Sequence, residues 1–290
     1  MNRILTTVIS ALIISASVLS SFAQEANSLL WRIGGNGLSE PSYLFGTMHL
    51  IPKDRFLFND SMKAALSDCE TLALEADIDI PLSEQFKLAK QMLMPDGKTW
   101  KDYLNEDDYA SVRAAFIDSL GMKESKFENQ YCKVRPIYVG GLILTQLLGK
   151  VTMYEQELMD MVKKDKKPVI GLETLDEQMA IVGSIPIEDQ MNDLKESAAG
   201  ALREYNRLLE AYLQQDLLEL GELSRSSEGF DKIEAKLVNE RNDRWVKAMT
   251  GLVGKSPTFF AVGAMHLVGE KGLITQLRAS GYSVDAVQQQ

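Results

Sequence analysis

Short apolar runs that alternate little recur along this chain, and each stops at a glycine or a charged residue. Such runs read as strands buried on both faces of a sheet. Leu29 to Ile33 and Ser42 to Gly46 flank Gly34-Gly35-Asn36-Gly37, a hairpin pattern. Thr71-Leu72-Ala73-Leu74 lies within a second run, Glu70 to Glu75, that ends on Glu75-Ala76-Asp77. Pro168 to Leu172 forms another and passes directly into Glu173-Thr174. Thr258 to Gly263 and Tyr282 to Val287 are the last.

Between these runs the spacing is helical. Asn59 to Asp68 predicts one helix, and from Pro81 to about Lys167 nearly everything is helical. Leu82 to Met94 is amphipathic and stops at Pro95-Asp96-Gly97. Asn105 caps a helix running to Leu120-Gly121. Val139 to Leu148 is apolar all round, which predicts a buried helix too short to span a bilayer. Thr174 and Glu177 have the spacing of a capping box. Glu188 to Gln215 and Gly229 to Thr250 are helical and separated by Gly221 to Ser227, and Glu270 to Ser280 ends at Gly281. The predicted class is α/β (α+β), with a small sheet built from both sequence ends and a large central helical insertion over about 81–167.

The first 23 residues stand apart. Arg3 precedes a serine-diluted apolar run, and Ser21-Phe22-Ala23 supplies small residues at a cleavage site, so residues 1–23 are expected to be a signal peptide. The alternative, an uncleaved anchor, lacks a basic flank after the run. Residues 24–290 then form a single domain, exported to a periplasmic or external space, with no stable membrane anchor after cleavage. Arg3 is the only charged residue removed, so the net charge goes from −10 to −11. An acidic chain without a basic tract is a poor candidate for nucleic acid. Lys163-Lys164-Asp165-Lys166-Lys167 ends a helix before Pro168 and offsets its dipole. The thirteen methionines fall on helical faces as core filler, with an apolar ligand groove as the other reading. Cys69 and Cys132 lack the spacing of a zinc or redox motif. One disulfide and a free buried pair both remain open.

The chain has two histidines, and both occur in one repeated pattern: Leu44-Phe45-Gly46-Thr47-Met48-His49 and Ala261-Val262-Gly263-Ala264-Met265-His266. Each Gly-x-x-His follows a predicted buried strand, at the edge where open α/β sheets bind ligands. A single such histidine would read as a strand cap, but two copies holding all the histidine point to a shared site. Strand ends also deliver Glu75, Asp77 and Glu173. Two imidazoles with one or two carboxylates are a common set for a divalent metal with open positions. Glu173, Arg241 and Asn242 are candidates to orient ligands or substrate. Glu173 also reads as an acid favoured before a helix, Asp77 as the start of a loop, and Arg241 as a helix-surface ion pair. No nucleophile elbow, zincin helix or Walker loop is present.

Leu-Phe-Gly-Thr-Met-His at 44–49, Leu-Ala-Leu-Glu-Ala-Asp at 72–77, Gly-Leu-Glu-Thr at 171–174, Glu-Arg-Asn-Asp-Arg-Trp at 240–245 and Ala-Val-Gly-Ala-Met-His-Leu-Val-Gly at 261–269 together resemble the TraB/GumN family, which is related to pheromone-shutdown proteins and animal Tiki metalloproteases. The resemblance spans about 29–287. It implies His49, His266 and Glu75 as metal or catalytic residues and a role for Arg241 and Asn242. The leading expectation is an exported, metal-dependent, peptidase-like hydrolase. His49, His266 and Glu75 would hold Mn²⁺, Co²⁺ or Zn²⁺, with Glu75, Glu173, Arg241 and Asn242 as catalytic candidates and Asp77 assisting. The competing readings are a non-catalytic module that captures a peptide, a metal or a haem-like ligand, and a structural envelope protein. The repeated motif implies equivalent roles for the two histidines.

Overall fold

The computed structural model describes residues 27–197, 201–226 and 234–287. The expected signal peptide lies outside the described residues, as do 198–200 and 229–233 of the two expected long helical segments. Eight strands are present among the described residues: β1 (Leu30–Gly34), β2 (Ser42–Thr47), β3 (Ile51–Pro52), β4 (Thr71–Ala76), β5 (Val151–Thr152), β6 (Val169–Glu173), β7 (Thr258–Gly263) and β8 (Ser283–Ala286). Six form one sheet in the order β6-β4-β7-β2-β1-β8, and β3 and β5 form a two-stranded ribbon. The four strands β6, β4, β7 and β2 are parallel neighbours. The antiparallel pairs β1–β2 and β1–β8 finish the sheet. Every residue of β7 is buried, as its unbroken apolar run predicts for the strand that joins the two halves.

Parallel pairing sends four strand ends to one edge. Thr47 pairs with Gly263 and Ala76 with Glu173, so the residues that follow or close these strands face a common crevice. At Gly46 the backbone must come close, because a Cβ there would lie 3.1 Å from Ala264 Cα and 3.2 Å from a Leu267 methyl. The two Gly-x-x-His segments are therefore packed directly against each other.

The helices are α1 (Asp60–Asp68), α2 (Leu82–Gln91), α3 (Glu106–Ala114), α4 (Glu124–Asn129), α5 (Pro136–Leu148), α6 (Tyr154–Lys164), α7 (Leu175–Gly183), α8 (Ile187–Ser197), α9 (Ala201–Leu213), α10 (Leu217–Ser226), α11 (Glu240–Val253) and α12 (Leu273–Ala279). Asn59 caps α1 through Met62 N, Asn105 caps α3 through Asp108 N, and Thr174 and Glu177 make the expected capping box on α7. Two apolar cores result. The larger joins the sheet to α1, α6, α9, α10, α11 and α12. The second, around Trp100, Phe116, Phe127 and Tyr131, belongs to the helical insertion and also takes Ile187, Met191 and Leu194 from α8. Helix α6 lies inside the expected insertion but buries Tyr154, Leu158 and Val162 in the larger core.

Two local expectations are corrected. Helix α5 buries Pro136, Val139 and Ile143, while Gly140, Gly141 and Leu142 are exposed; an apolar run does not distinguish a wrapped helix from one with a bare face. The segment predicted as a break at Gly221 is the interior of α10, where Gly221 is buried. Cys69 and Cys132 are both free, one in each core, so the thiols are not bridged. Burial pushes them up, Cys69 to about 12 and Cys132 to about 11, which leaves both as inert core groups. No described helix is long and apolar enough to cross a membrane.

Candidate functional site

The crevice at the shared strand edge is lined by charge. Glu75, at the end of β4, is buried and accepts from Gly263 N through Oε1 at 2.8 Å. The same oxygen lies 4.0 Å from His49 Nε2 and 3.8 Å from His266 Nε2. Its other oxygen accepts from Arg241 Nη2 and from Gln178 Nε2, the latter at 3.2 Å. Both histidines and Glu75 thus converge. Gly263 forms the floor between them: a Cβ placed there would sit 3.2 Å from Glu75 Oε1 and 3.6 Å from both His49 Nε2 and His266 Cδ2.

Arg241, on the first turn of α11, is buried between carboxylates. Its Nε donates to Glu173 Oε1 at 2.9 Å and its Nη1 meets His266 Nε2 at 3.2 Å. Its guanidinium carbon lies 4.4 Å from the Trp245 ring centre. Glu173 Oε2 accepts from Arg244 Nη2 at 3.3 Å, so both oxygens of Glu173 are taken by arginines. A surface helix pair was one reading of Arg241, and burial removes it. Asp77 stays outside the cluster: it is exposed, and its Oδ1 accepts from Asp79 N.

The two histidines are not equivalent. His266 is buried and packs against Trp245 at a tilt of 38°, with ring centres 4.4 Å apart. Asn242 Nδ2 donates to the carbonyls of His266 and Lys271, at 3.0 and 2.8 Å, so Asn242 Oδ1 is an acceptor. His266 Nδ1, at 2.7 Å from that oxygen, is consequently the protonated nitrogen. Burial, helped by the positive Arg241 and His49 and opposed by Glu75, pulls its pKa down to about 3. His49 stands at the crevice mouth with its side chain 65% exposed. Its Nδ1 is 3.1 Å from Glu155 Oε1. Burial against the crevice wall opposes charge on His49, but the hydrogen bond to Glu155 and the charges of Glu75 and Glu155 outweigh it and raise the pKa to about 9. Solvent at the mouth screens part of that gain. Glu75 is held well below the usual carboxylate range, since His266, His49, Arg241 and the Gly263 amide together exceed its burial penalty.

Sequence reasoning missed Glu155 and Gln178. Gln178 carries no chemical signal, being one polar residue on α7. Glu155 is an acid in the first turn of α6 and reads as ordinary dipole compensation. Its partner is 106 positions away.

No three His, Cys, Asp or Glu side chains among the described residues close on one point at metal-ligand distance. The arrangement is nevertheless an α/β crevice in which two imidazoles and a carboxylate share one hollow beside a buried arginine. The family model described as TraB/PrgY/gumN matches residues 29–286, and the chain belongs to that family. It is similar to Metalloprotease TIKI2 of Danio rerio, 22% identical over 90% of this chain and 61% of the relative. It is similar also to the Metalloprotease TIKI homolog of Amphimedon queenslandica, 24% identical over 89% of this chain and 61% of the relative. The chain thus spans about three-fifths of the length of these relatives. No solved structure matches it significantly.

Proposed function

We propose that this protein is an exported metal-dependent hydrolase of peptidase type, with His49, His266 and Glu75 as the residues that hold a divalent ion. One observation carries the reading. Each imidazole has its Nδ1 engaged, by Glu155 in one case and Asn242 in the other, and each turns Nε2 toward the same Glu75 oxygen over a hollow floored by Gly263. Metal-ligating histidines are typically fixed in this way through their second nitrogen. Donors about 2.1 Å from a tetrahedral centre are about 3.4 Å apart. The observed spacings from Glu75 Oε1 are 3.8 and 4.0 Å, and His266 Nε2 lies 3.2 Å from Arg241 Nη1, so ligation requires the donors to draw in and Arg241 to release that nitrogen. An imidazole and carboxylate set suits Zn²⁺, Co²⁺ or Mn²⁺. When bound, such an ion supplies a Lewis acid and an acidified water.

The chain's own groups account for the rest. Arg241 neutralises Glu75 and offers a fixed positive charge to a substrate oxygen that gains negative charge. Glu173, with both oxygens on arginines, holds Arg241 in place. Asn242 fixes the His266 ring. Export is supported by the signal-like pattern of residues 1–23, and the peptidase assignment by the names of the Tiki relatives. Calorimetric titration of the purified full chain with Mn²⁺, Co²⁺ and Zn²⁺, followed by peptide-library digestion with and without the ion, tests the proposal. Metal-dependent cleavage that disappears in Glu75→Gln is the expected result. Binding without cleavage points to a sequestering module instead, and absence of binding overturns the metal site.

A further inference from the structure

Glu155 is buried at the start of α6, and its placement calls for an explanation that stability does not provide. Its Oε1 meets His49 Nδ1 at 3.1 Å, and its Oε2 is buried with no hydrogen-bond partner among the described residues. A buried carboxylate left half-satisfied destabilises a fold unless it is paired and fully bonded. The helix does not need it as a dipole partner either. Glu157 occupies the same turn, is partly exposed and accepts from Thr152 Oγ1 at 2.6 Å.

The chain also contains a device that brings the pair together. β3 begins two residues after His49, and β5 ends two residues before Tyr154. They pair antiparallel, Ile51 with Thr152 and Pro52 with Val151, extended by Lys53 N donating to Lys150 O at 2.9 Å. This two-stranded ribbon stands apart from the main sheet. It ties the loop carrying His49 to the helix carrying Glu155.

We infer that Glu155 is a positioning residue for His49: through Oε1 it fixes the imidazole as the Nδ1–H tautomer and aims the Nε2 lone pair into the crevice toward Glu75. The two histidines then have different supports, a carboxylate for the exposed His49 and a neutral amide for the buried His266. A carboxylate partner makes an imidazole the more electron-rich donor. His49 depends on its support more than His266 does, because no ring packs against it among the described residues and its side chain is exposed.

The positioning role rests on the proposed metal site only for its second readout. With two histidines in the chain, a ¹⁵N imidazole spectrum contains four side-chain nitrogens, and His266→Ala assigns them. The spectrum is taken on metal-free full chain at a pH high enough to neutralise His49. In the wild type, His49 is expected as the Nδ1–H form. In Glu155→Met, which fills the same space without charge, His49 should move toward the Nε2–H form while the His266 signals stay in place. Glu155→Leu serves the same purpose should the Met variant fail to fold. Zn²⁺ affinity should fall roughly tenfold to hundredfold in either variant. A tautomer change with no Zn²⁺ binding even in the wild type would refute the metal site and leave the positioning role standing. An unchanged His49 spectrum in the folded variant would overturn the positioning role.

Discussion

Replacing Gly263 by alanine is the most economical probe of the crevice, because it adds one methyl group and removes nothing. The backbone at Gly263 has φ −51 and ψ 135, which an alanine adopts without strain. The added Cβ would stand 3.2 Å from Glu75 Oε1 and 3.6 Å from His49 Nε2 and His266 Cδ2. The last two distances are ordinary contacts. The first is tight, and Oε1 is already held by Gly263 N at 2.8 Å, so the carboxylate has to shift by a few tenths of an ångström. Overpacking of this kind costs about 1–3 kcal/mol. Lower entropy of the unfolded chain returns about 0.4–1 kcal/mol. The net loss of about 0–2.5 kcal/mol corresponds to a fall in Tm of up to roughly 10 °C, at about 2–4 °C per kcal/mol for a chain of this size. Metal affinity should suffer far more, because the methyl occupies the hollow that all three proposed donors face. Displacing ligands by this much should lower affinity at least as far as losing an outer partner, about tenfold to hundredfold. Thermal denaturation of the metal-free protein and calorimetric titration with Zn²⁺ measure the two effects separately. A folded Gly263→Ala protein that binds Zn²⁺ as the wild type does would show that the hollow is not where the ion sits.

Three other outcomes are expected from the same geometry. His266→Ala should cost about 2–3 kcal/mol in stability, since it opens a cavity beside Trp245 and strands Asn242 Oδ1, whereas His49→Ala opens no cavity and should cost about 1 kcal/mol, from leaving Glu155 Oε1 to the water that enters at the exposed mouth. Equal losses by denaturant titration would contradict this asymmetry, although both variants should lose metal binding. Metal affinity should rise with pH, because the ion needs a neutral His49 and the folded-state pKa of that group is raised from 6.5 to about 9. The proton must be displaced below the raised pKa and no longer competes above it, so an affinity profile that is flat from pH 5 to pH 9 would refute the role of His49. Arg241→Met should cost about 3–5 kcal/mol, the penalty for leaving buried carboxylates without their cation. That loss should shrink as pH falls, because without the Arg241 cation the buried Glu75 takes up a proton more readily than in the wild type, which denaturation at pH 4 and pH 7 compares.

The strand pattern made the sheet readable because β2, β4 and β7 are buried on both faces, and continuous apolar runs have few other uses. Convergence of His49, Glu75, Glu173 and His266 followed from one rule about strand ends, without knowing the strand order. The resemblance to a known family strengthened Arg241 and Asn242, which the residues alone left as candidates among ordinary helix-surface groups. Glu155 was unreadable for a physical reason: an acid in a first helical turn has a sufficient local explanation, and only the β3–β5 ribbon reveals the distant one. The difference between the histidines was equally hidden, since identical octapeptide patterns end in a buried ring at His266 and an exposed one at His49. The leucine after each motif follows its histidine, with Leu267 buried in the core and Leu50 only partly covered.

The central place of β7 governs when the site can exist at all. It lies between β4 and β2 and comes from residues 258–263, later in the chain than the other three parallel strands. A nascent chain that has emerged only as far as Val253 already holds His49, Glu75, Glu155, Glu173 and Arg241. It has no strand to join the β4–β6 pair to the β1–β2 hairpin, and it lacks His266. Contacts of such long sequence separation form late and slowly. The crevice is therefore assembled only when β7 docks between β4 and β2, and the growing polypeptide lacks a complete site until residues 258–266 have joined the sheet.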